Sequence, residues 1–480
     1  MADTDFYRSP LGGRYASEAM RSVFSERHRF ETWRRLWVEL AAAQHALDLG
    51  VRAEQVAALR EHVQMREADF DVATQREREV RHDVMAHVHA FGEAVPAAKG
   101  IIHLGMTSCD ITDNAELILV RDGFAILHGR LVQLVRQLAD FAEQTRSLPT
   151  LGFTHYQPAM PTTVGKRAAT WLQEFWWAAQ RLETVREELP LRGLKGATGT
   201  QASFLALCNG DAAKVEELER RWATALGFER VVPITGQTYP RTLDAMILEP
   251  LSLLADAAAK FANDLRLLAN LRELEEPFGK QQVGSSAMPF KRNPMRCERI
   301  NALCRSLVHL VPNAHATAQA QWLERTLDDS ANRRITLAES FLLADAILLL
   351  AVDVTGGMVV NEAVIRANLE RELPFLAAEP ILMAAVQQAG GDRQELHERL
   401  RRYTHEAVTE LKAGKPHALE EKLRGDATFG TLDLEALLDP GNPVHIGRAP
   451  QQVEEFLQAT IRPWLAERTN VAPPDGDVRV

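Results

Sequence analysis

Residues 111–144 read ITDNAELILVRDGFAILHGRLVQLVRQLADFAEQ, and their apolar side chains recur at alternating spacings of three and four residues. This is the periodicity of an amphipathic α-helix. Residues 251–268 and 337–351 repeat it. Additional apolar positions lie off the seam in the first two stretches, so we expect those helices to be buried on more than one side, either deep in a bundle or at a subunit interface. The pattern predicts an all-α protein with a central bundle of long, nearly parallel helices.

The segments on either side of the long helices carry shorter helical patterns. We predict an N-terminal helical domain over residues 1–110, the central bundle over 111–363 and a C-terminal helical domain over 364–480. From about residue 470 the sequence NVAPPDGDVRV is typical of a mobile tail. No alternating apolar and polar run with a hairpin turn is visible, so the sequence predicts no extensive sheet.

Composition and charge exclude several classes of protein. The chain has 480 residues, of which 46% are hydrophobic and 25% charged, and its formal net charge is −10. This composition excludes a disordered chain, a collagen and a disulfide scaffold. The negative charge makes nucleic acid and anionic membrane surfaces poor partners unless a local basic patch is present.

The start of the chain and the cysteines indicate the compartment. The opening MADTDFYRSP lacks the basic region and apolar stretch of a secretory signal. The longest apolar run, residues 341–352, is interrupted by Asp345 and is shorter than the ~20 residues of a membrane-spanning helix. We therefore predict a cytoplasmic protein with no membrane partner. Without any C-x-x-C pair, the cysteines are predicted to be buried free thiols rather than zinc ligands: Cys109, Cys208, Cys297 and Cys304.

Four polar segments interrupt the helical pattern and are the candidates for chemistry. The first is Arg-His-Asp at 81–83, and the second is Thr-Ser at 107–108, where the first long helix begins. Hydroxyls and free backbone N–H groups at a helix start can bind an anion or simply cap the helix, and the sequence leaves both open. The third is Thr-His-Tyr-Gln-Pro at 154–158, a polar break before another helix. A lone histidine near a turn is structural more often than catalytic, so this segment alone decides nothing.

The fourth segment is GSSAMPFKRNP at 284–294, within a loop predicted over residues 281–294 between two long helices. Small residues, two hydroxyls and two cations in one loop indicate a mobile lid that closes on an anion. A solvated connecting loop would not need methionine and phenylalanine beside the charges. Asn293 is predicted to be the N-cap of the next helix, with Pro294 at the first helical position.

Familiar cofactor motifs are missing from the sequence. The Gly-Lys pair at 165–166 lacks the earlier glycine of a phosphate-binding loop, and the glycines within 193–199 do not match the dinucleotide fingerprint. The histidines within RHDVMAHVH, residues 81–89, lack the H-E-x-x-H arrangement, and acid–base or hydrogen-bonding roles are more common for such residues than metal binding. The motifs therefore indicate no nucleotide cofactor, and metal binding by these histidines is the less common alternative.

The loop GSSAMPFKRNP resembles the signature loop of the fumarase/aspartase superfamily, whose core is G-S-S-x-M-P-x-K-x-N. The segments RHDVMAHVH, HLGMTS, TLGFTHYQPA, KGATGTQASF, ITGQTYPR and RTLDDSANRR are similar to the adenylosuccinate lyase family, in the form typical of animals. The resemblance runs from about Tyr7 to Leu465. Phe290 stands where the family has tyrosine, which keeps the ring and loses only the hydroxyl.

This resemblance implies a lyase of purine nucleotide (AMP and IMP) biosynthesis. Its small-molecule reactions would be β-elimination of fumarate from adenylosuccinate, giving AMP, and from the succinyl intermediate SAICAR, giving AICAR. The resemblance also implies a three-domain all-α fold whose central bundles associate into a homotetramer with active sites shared between chains. No metal or cofactor would be required.

The resemblance assigns the base to Ser285 and the acid to His155. Because a serine hydroxyl is a weak base, its alkoxide must be stabilised by nearby cations and N–H donors, for which Lys291 and the amides of the loop are plausible sources. Thr107 and Ser108 would hold a carboxylate of the fumaryl group, and Gln237 would lie near the nucleotide. The implied substrate-binding residues are Arg14, Tyr15, Arg81, His82, Asp83, Thr107, Ser108, Gln237, Lys291, Arg299, Arg325, Ser330 and Arg334.

Three alternative hypotheses make different demands on the sequence. Another fumarate-releasing lyase of the superfamily would share the loop but not the Arg81, Gln237 and 325–334 segments. A non-catalytic structural relative would be expected to have lost Ser285, His155 or Lys291, and all three are present. An unrelated helical scaffold would account for the long seams but for none of the four polar segments.

Overall fold

The computed structural model describes residues 6–471, apart from the side chain of Ala389. These residues are mostly helical, which confirms the predicted all-α class; the predicted tail lies largely outside them, from residue 472 onward. The α-helices are α1 (Glu18–Val23), α2 (Glu26–Ala46), α3 (Ala53–Arg60), α4 (Glu67–Val80), α5 (Asp83–Ala94), α6 (Ser108–Gln144), α7 (Val164–Glu188), α8 (Ala202–Leu207), α9 (Ala212–Ala225), α10 (Thr242–Asn270), α11 (Met295–Gln319), α12 (Asp329–Gly357), α13 (Glu362–Leu376), α14 (Ala378–Ala384), α15 (Arg393–Lys412), α16 (Leu419–Gly425), α17 (Leu434–Leu437), α18 (Ala449–Phe456) and α19 (Arg462–Ala466). The strands are β1 (Pro149–Thr154), β2 (Gln157–Thr163), β3 (Leu274–Glu275) and β4 (Val359–Val360). Short π-helical turns cover Leu11–Tyr15, Ala385–Ala389 and Leu457–Ile461, and 3₁₀ turns cover Pro96–Ile101, Phe429–Thr431 and Pro443–His445.

Helices α6, α7, α10, α11 and α12 form the central bundle, and the three long seams lie within α6, α10 and α12 as predicted. These three helices run in one direction, and α7 and α11 run in the other. The contacts that fix the directions are Glu116–Arg333, Arg130–Asp345 and Gln137–Thr355 between α6 and α12, His128–Glu183 and Ala142–Gly165 between α6 and α7, Trp171–Asp264 and Arg181–Glu249 between α7 and α10, and Arg296–Asp353 and Thr317–Asn332 between α11 and α12.

The bundle therefore has two distinct ends. The proximal end holds the first turns of α6, α10 and α12, and the distal end holds the first turns of α7 and α11. Helix α6 has 37 residues, so the ends are on the order of 55 Å apart at a rise of about 1.5 Å per residue.

Apolar residues outside the main apolar seam are mostly buried in α6 but partly exposed in α10. In α6, Leu119 and Val135 are buried within the chain. In α10, Met246, Leu253 and Leu267 remain between 41% and 49% exposed. Helix α6 is thus buried deep in the bundle, which is the first of the two predicted alternatives. Helix α10 instead presents an apolar outer face that the described residues leave partly exposed.

Helix α12 corrects the expectation that no apolar segment is long enough to span a membrane. At 29 residues, with a sufficiently apolar window, it is long enough by length and composition. Most of that window is buried inside the bundle. Its Asp345 is fully buried and accepts a hydrogen bond from Arg130 Nε at 2.7 Å, which identifies α12 as an interior helix of the bundle.

The C-terminal part of the chain contains a second hydrophobic cluster, built from buried residues between Leu373 and Leu434. After this cluster the chain returns to the main core, where Val453, Ile461 and Trp464 of the last segments are buried. The predicted division into three domains stays a prediction.

Residues 149–163 form an antiparallel β-hairpin that the sequence analysis missed. Its two turn residues, His155 and Tyr156, both have positive φ, 53° and 57°. Two successive left-handed residues are the geometry of a type I′ turn, which usually selects Asn-Gly. The strands also carry prolines and no regular polar alternation, so the usual signals of a hairpin were absent.

Candidate active site

The first two polar segments meet at the proximal end of the bundle. Arg81 ends α4 in the left-handed conformation, and the chain then enters α5 with His82 as N-cap. The Nδ1 atom of His82 accepts the Met85 N–H at 3.3 Å, which leaves the proton of a neutral imidazole on Nε2. That Nε2 lies 3.2 Å from the hydroxyl of Ser108. His82 is thus fixed by its own helix and directed at the start of α6.

Thr107 is the N-cap of α6, so the predicted helix start is confirmed. Its N–H donates to Asp110 Oδ2 at 2.7 Å, half of a capping box. The other oxygen of Asp110 accepts from Arg192 and from the backbone N–H groups of Lys195 and Gly196. The buried Asp110 therefore joins the start of α6 to the loop that follows α7.

Gln237 and Arg334 join the same end from other parts of the chain. The Gln237 side chain donates to the Ala197 carbonyl at 3.1 Å, and its Oε1 lies 3.8 Å from the Cys109 thiol. An ion pair of 3.0 Å links Arg334 to Asp83. Arg325 lies in the connection before α12, and Ser330 lies in the first turn of that helix. Together with these two, the groups at this end form what we call the proximal cluster: Arg81, His82, Asp83, Thr107, Ser108, Gln237, Arg325, Ser330 and Arg334.

A buried charge network lies beneath the proximal cluster. Burial raises the pKa of the Asp113 carboxyl, but Arg241 and Arg333 outweigh this and hold the pKa below its usual value. Burial also raises the pKa of the Cys109 thiol to about 11, with Asp113 adding to the effect and Arg325 opposing it. Arg325 precedes α12, whose first turn lies at the same end of the bundle as the start of α6. Because its pKa is raised, Cys109 is a neutral thiol at ordinary pH. We therefore do not assign it the role of a nucleophile at the proximal end.

The signature loop lies at the distal end, between α10 and α11. The hydroxyl oxygen of Ser285 accepts the backbone N–H groups of Ala287, at 3.3 Å, and of Met288, at 3.1 Å. Ser285 is half-buried, whereas the side chain of Lys291 is exposed. The amide donors expected from the sequence are therefore in place around Ser285 within one chain.

The anchoring of this loop corrects the predicted start of α11. Pro294, rather than Asn293, is the N-cap residue, and the helix begins at Met295. The carboxylate of Glu276 accepts the N–H groups at the helix start, at 3.0–3.1 Å, in place of a capping side chain. The Asn293 amide instead donates to the Gly284 carbonyl at 2.8 Å and closes the base of the loop.

His155 also lies at the distal end, exposed at the tip of the β1–β2 hairpin. The hairpin is held at its base by Arg167 of α7, which donates to the Leu151 carbonyl at 2.6 Å. Tyr156 lines a cavity together with Lys260 and Asp264 of α10. Backbone strain at an exposed histidine is a common mark of a functional position.

The remaining predicted residues form a third group. Arg299, in the second turn of α11, places its guanidinium 5.5 Å from the centre of the Tyr15 ring. Arg14 precedes Tyr15 in the short π-helical turn and is exposed. This group lies near the beginning of α11, on the distal side.

The structure thus divides the predicted site residues between the two ends of the bundle. From the start of α10, beside Gln237, to the α10 residues near Tyr156 is about 20 residues, or roughly 30 Å. Such a distance cannot be spanned by one small substrate. Within a single chain, the predicted site residues are therefore not gathered around one point.

The histidine cluster at 82–89 does not form a metal centre. His87 is stacked on Phe30 with ring centroids 3.8 Å apart, and burial lowers its pKa to about 4. It is a neutral aromatic core residue. Within residues 6–471, no three His, Cys, Asp or Glu side chains are grouped so as to hold a metal ion.

Buried carboxylates are the members of the site region that sequence reasoning missed. Asp110, Asp113 and Asp329 are all buried in the proximal network. Two local signals were visible: the spacing of Thr107 and Asp110 is that of a capping box, and Arg325 lies one helical turn before Asp329. The arginine that Asp113 and Asp329 share as a partner is more than 80 residues distant from either in sequence and could not be read from a local pattern.

Comparison with known proteins agrees with the arrangement of these segments. A family described as lyase matches residues 13–308, and one described as adenylosuccinate lyase C-terminus matches residues 374–456. An adenylosuccinate lyase of Saccharomyces cerevisiae is 50% identical over 465 residues, covering 96% of each chain. The chain belongs to the adenylosuccinate lyase family.

Other comparisons are consistent with this adenylosuccinate lyase membership. An adenylosuccinate lyase of Schizosaccharomyces pombe is 47% identical over 470 residues and covers 97% of each chain. The crystal structure of fumarate lyase from Mesorhizobium sp. BNC1 superimposes with a TM-score of 0.80 at 26% identity, over 94% of this chain and 99% of that one. As a member of the adenylosuccinate lyase family, the chain is a lyase enzyme of the fumarase/aspartase superfamily, as predicted.

Proposed function

We propose that this enzyme eliminates fumarate from adenylosuccinate, giving AMP, and from SAICAR, giving AICAR, with Ser285 as base and His155 as acid. The observation that carries the assignment of the base is the pair of backbone N–H groups on the Ser285 oxygen. Two such donors stabilise an alkoxide, which a serine needs in order to take a proton from carbon.

The proposed reaction moves one proton at each end of the bond that breaks. Ser285 takes a proton from the β-carbon of the succinyl group, and the resulting carbanion is stabilised by the neighbouring carboxylate. Its electron pair forms the double bond of fumarate as the C–N bond breaks, and His155 protonates the departing nitrogen. Closure of the loop would exclude water and strengthen the electrostatic contribution of Lys291.

The proximal cluster is suited to the anionic parts of the substrate. Arg81, Arg325 and Arg334 supply guanidinium groups, which bind carboxylate and phosphate in bidentate fashion. The hydroxyls at the start of α6 lie at the positive end of a long helix dipole. A local concentration of cations is compatible with the overall charge of −10.

We further propose a homotetramer in which each site combines the proximal cluster of one chain with the His155 and Ser285 segments of others. Support comes from the division of the site between opposite ends of the bundle. The exposed apolar side chains of α7 and α10, including Trp177 and Leu253, give the helices a surface suited to a second copy. We expect the enzyme in the cytoplasm, free of nucleic acid and membrane.

The first test is spectroscopic. Purified protein added to adenylosuccinate should change its ultraviolet absorbance as AMP and fumarate form, and the products should be identified by chromatography. The same assay on SAICAR tests the second reaction. Argininosuccinate is the control substrate, since an enzyme that cleaved it instead would be another lyase of the superfamily.

Replacing Arg325 or Arg334 by alanine should raise KM for adenylosuccinate by roughly 10- to 150-fold. Loss of one charge-assisted contact to a substrate anion costs about 1.5–3 kcal/mol. The matched control is Arg401→Ala, which removes an exposed arginine whose ion-pair partner, Glu398, lies three residues earlier on the same helix. Steady-state kinetics of the three variants check this, and equal KM values for all of them would make the 325–334 segment structural.

A further inference from the structure

We propose that Asp329 is a positioning residue that fixes the direction of the Arg325 guanidinium at the proximal cluster. The inference rests on the proposed function, in which Arg325 contacts a substrate anion. It adds a residue that never touches substrate and acts only through Arg325.

Asp329 and Arg325 form a short ion pair in which the carboxylate is buried and the guanidinium is partly exposed. Asp329 is the first residue of α12, and its side chain is 0% exposed, whereas that of Arg325 is 22% exposed. Asp329 Oδ1 accepts from Arg325 Nη1 at 2.7 Å. A guanidinium has five N–H donors in a rigid fork, so the edge formed by Nε and Nη2 still has donors to offer an anion. The contact with Asp329 thus uses Nη1 and leaves the Nε and Nη2 donors for the ligand.

Asp329 is itself held by a buried frame. Its second oxygen accepts from Arg241 Nε at 2.6 Å, and Arg241 also donates twice to Asp113, at 3.1 and 3.0 Å. These three side chains are at most 2% exposed. The frame connects the starts of α6, α10 and α12, so the carboxylate has little freedom to follow a moving arginine.

The backbone around Arg325 is fixed by a different contact. Arg325 lies in the irregular connection between α11 and α12, where the preceding Glu324 carbonyl accepts the Gln237 N–H at 2.9 Å. The ion pair with Asp329 is therefore a restraint on the side chain rather than the means by which the connection is held. Without the ion pair, the rotatable bonds of the Arg325 side chain would have to be ordered when substrate binds, at a cost in conformational entropy.

The test is Asp329→Asn. Asparagine has nearly the same shape as aspartate, but it lacks the negative charge and replaces one of the two oxygens that accept from Arg325 and Arg241 by an NH2 donor. We expect KM for adenylosuccinate to rise about five- to tenfold with a much smaller change in kcat. In an Arg325→Ala background the same substitution should raise KM no further, because its effect passes through Arg325. Additive effects of the two substitutions would overturn the proposal.

The matched control is Asp426→Asn in the C-terminal cluster. Asp426 is 5% exposed and pairs with an arginine, Arg399, and the hydrogen-bond partners of its carboxylate lie between residues 399 and 429, outside the proximal cluster. The substitution should lower the melting temperature while leaving KM unchanged. An equal rise in KM would attribute the effect of Asp329→Asn to general destabilisation and overturn the proposal.

If Asp329→Asn does not fold, Arg325→Lys carries the test. Lysine keeps the charge but lacks the fixed fork, so KM should rise nearly as much as in Arg325→Ala. A wild-type KM in the lysine variant would overturn the proposal. Failure of the proposed function is recognised separately, since the wild-type enzyme would then not cleave adenylosuccinate.

Discussion

Ser285→Ala and His155→Ala should each reduce turnover of adenylosuccinate to background while leaving substrate binding measurable. Both side chains are assigned to proton transfer in the transition state, so their loss should affect kcat far more than affinity. A general acid or base contributes typically 10²–10⁴-fold, and the base should be at the upper end because no water can replace an alkoxide held by two amides. Single-turnover kinetics and titration with substrate in each inactive variant measure the two quantities.

Ser286→Ala is the matched control for the base. It removes the adjacent hydroxyl of the same loop, which is exposed where Ser285 is half-buried. We expect nearly full activity, because the amides of Ala287 and Met288 donate to the Ser285 oxygen. If Ser285→Ala were active and Ser286→Ala inactive, the role of the base would belong to Ser286 instead.

An inactive His155→Ala enzyme mixed with an inactive Ser285→Ala enzyme should regain activity after subunit exchange. If acid and base come from different chains, some sites of a mixed tetramer receive both intact residues. Random mixing at equal amounts gives about a quarter of the sites an intact pair. Activity should therefore rise from background to a substantial fraction of the wild-type value, as measured after dilution and reassembly of the mixed subunits.

Two controls define the outcome of this mixing experiment. Each inactive variant taken through the same exchange alone should stay inactive. A variant carrying both substitutions, mixed with either single variant, should also stay inactive, because one of the two residues is then missing from every chain. Mixed tetramers that form, as seen by native mass spectrometry, and remain inactive would place His155 and Ser285 of each site on the same chain.

The long helices could be predicted from the sequence because their apolar positions obey one strict period, and Thr107 marks the start of α6 by its hydroxyl and its spacing to Asp110. The hairpin at 149–163 could not be predicted in this way. Its strands lack alternation, and its turn places histidine and tyrosine where Asn-Gly is usual. A β-turn could therefore not be recognised from the local sequence, and the hairpin is held by tertiary packing on α13 and α7.

The site could be predicted residue by residue only through the family resemblance. Helical periodicity does not tell which end of a bundle a segment occupies, so the distribution of the predicted site residues between the proximal and distal ends could be seen only in the structure. The same holds for Asp329, whose position beside a helix start suggests a capping residue. Its partner Arg241 lies 88 residues away in sequence, and only the fold turns the pair into a buried frame.

The return of α18 and α19 to the bundle has a consequence for biosynthesis. Val453, Leu457 and Ile461 complete a core whose other walls are made several hundred residues earlier, and Arg462 donates to Asp140 across a separation of 322 residues. A ribosome delivers the chain from its N-terminus, so α6 and α7 emerge long before the segment that closes over them. Part of the apolar surface of the nascent bundle therefore stays exposed to solvent until translation has nearly ended. Premature stop codons even in the last tenth of the gene should consequently yield protein that chaperones retain and proteases remove.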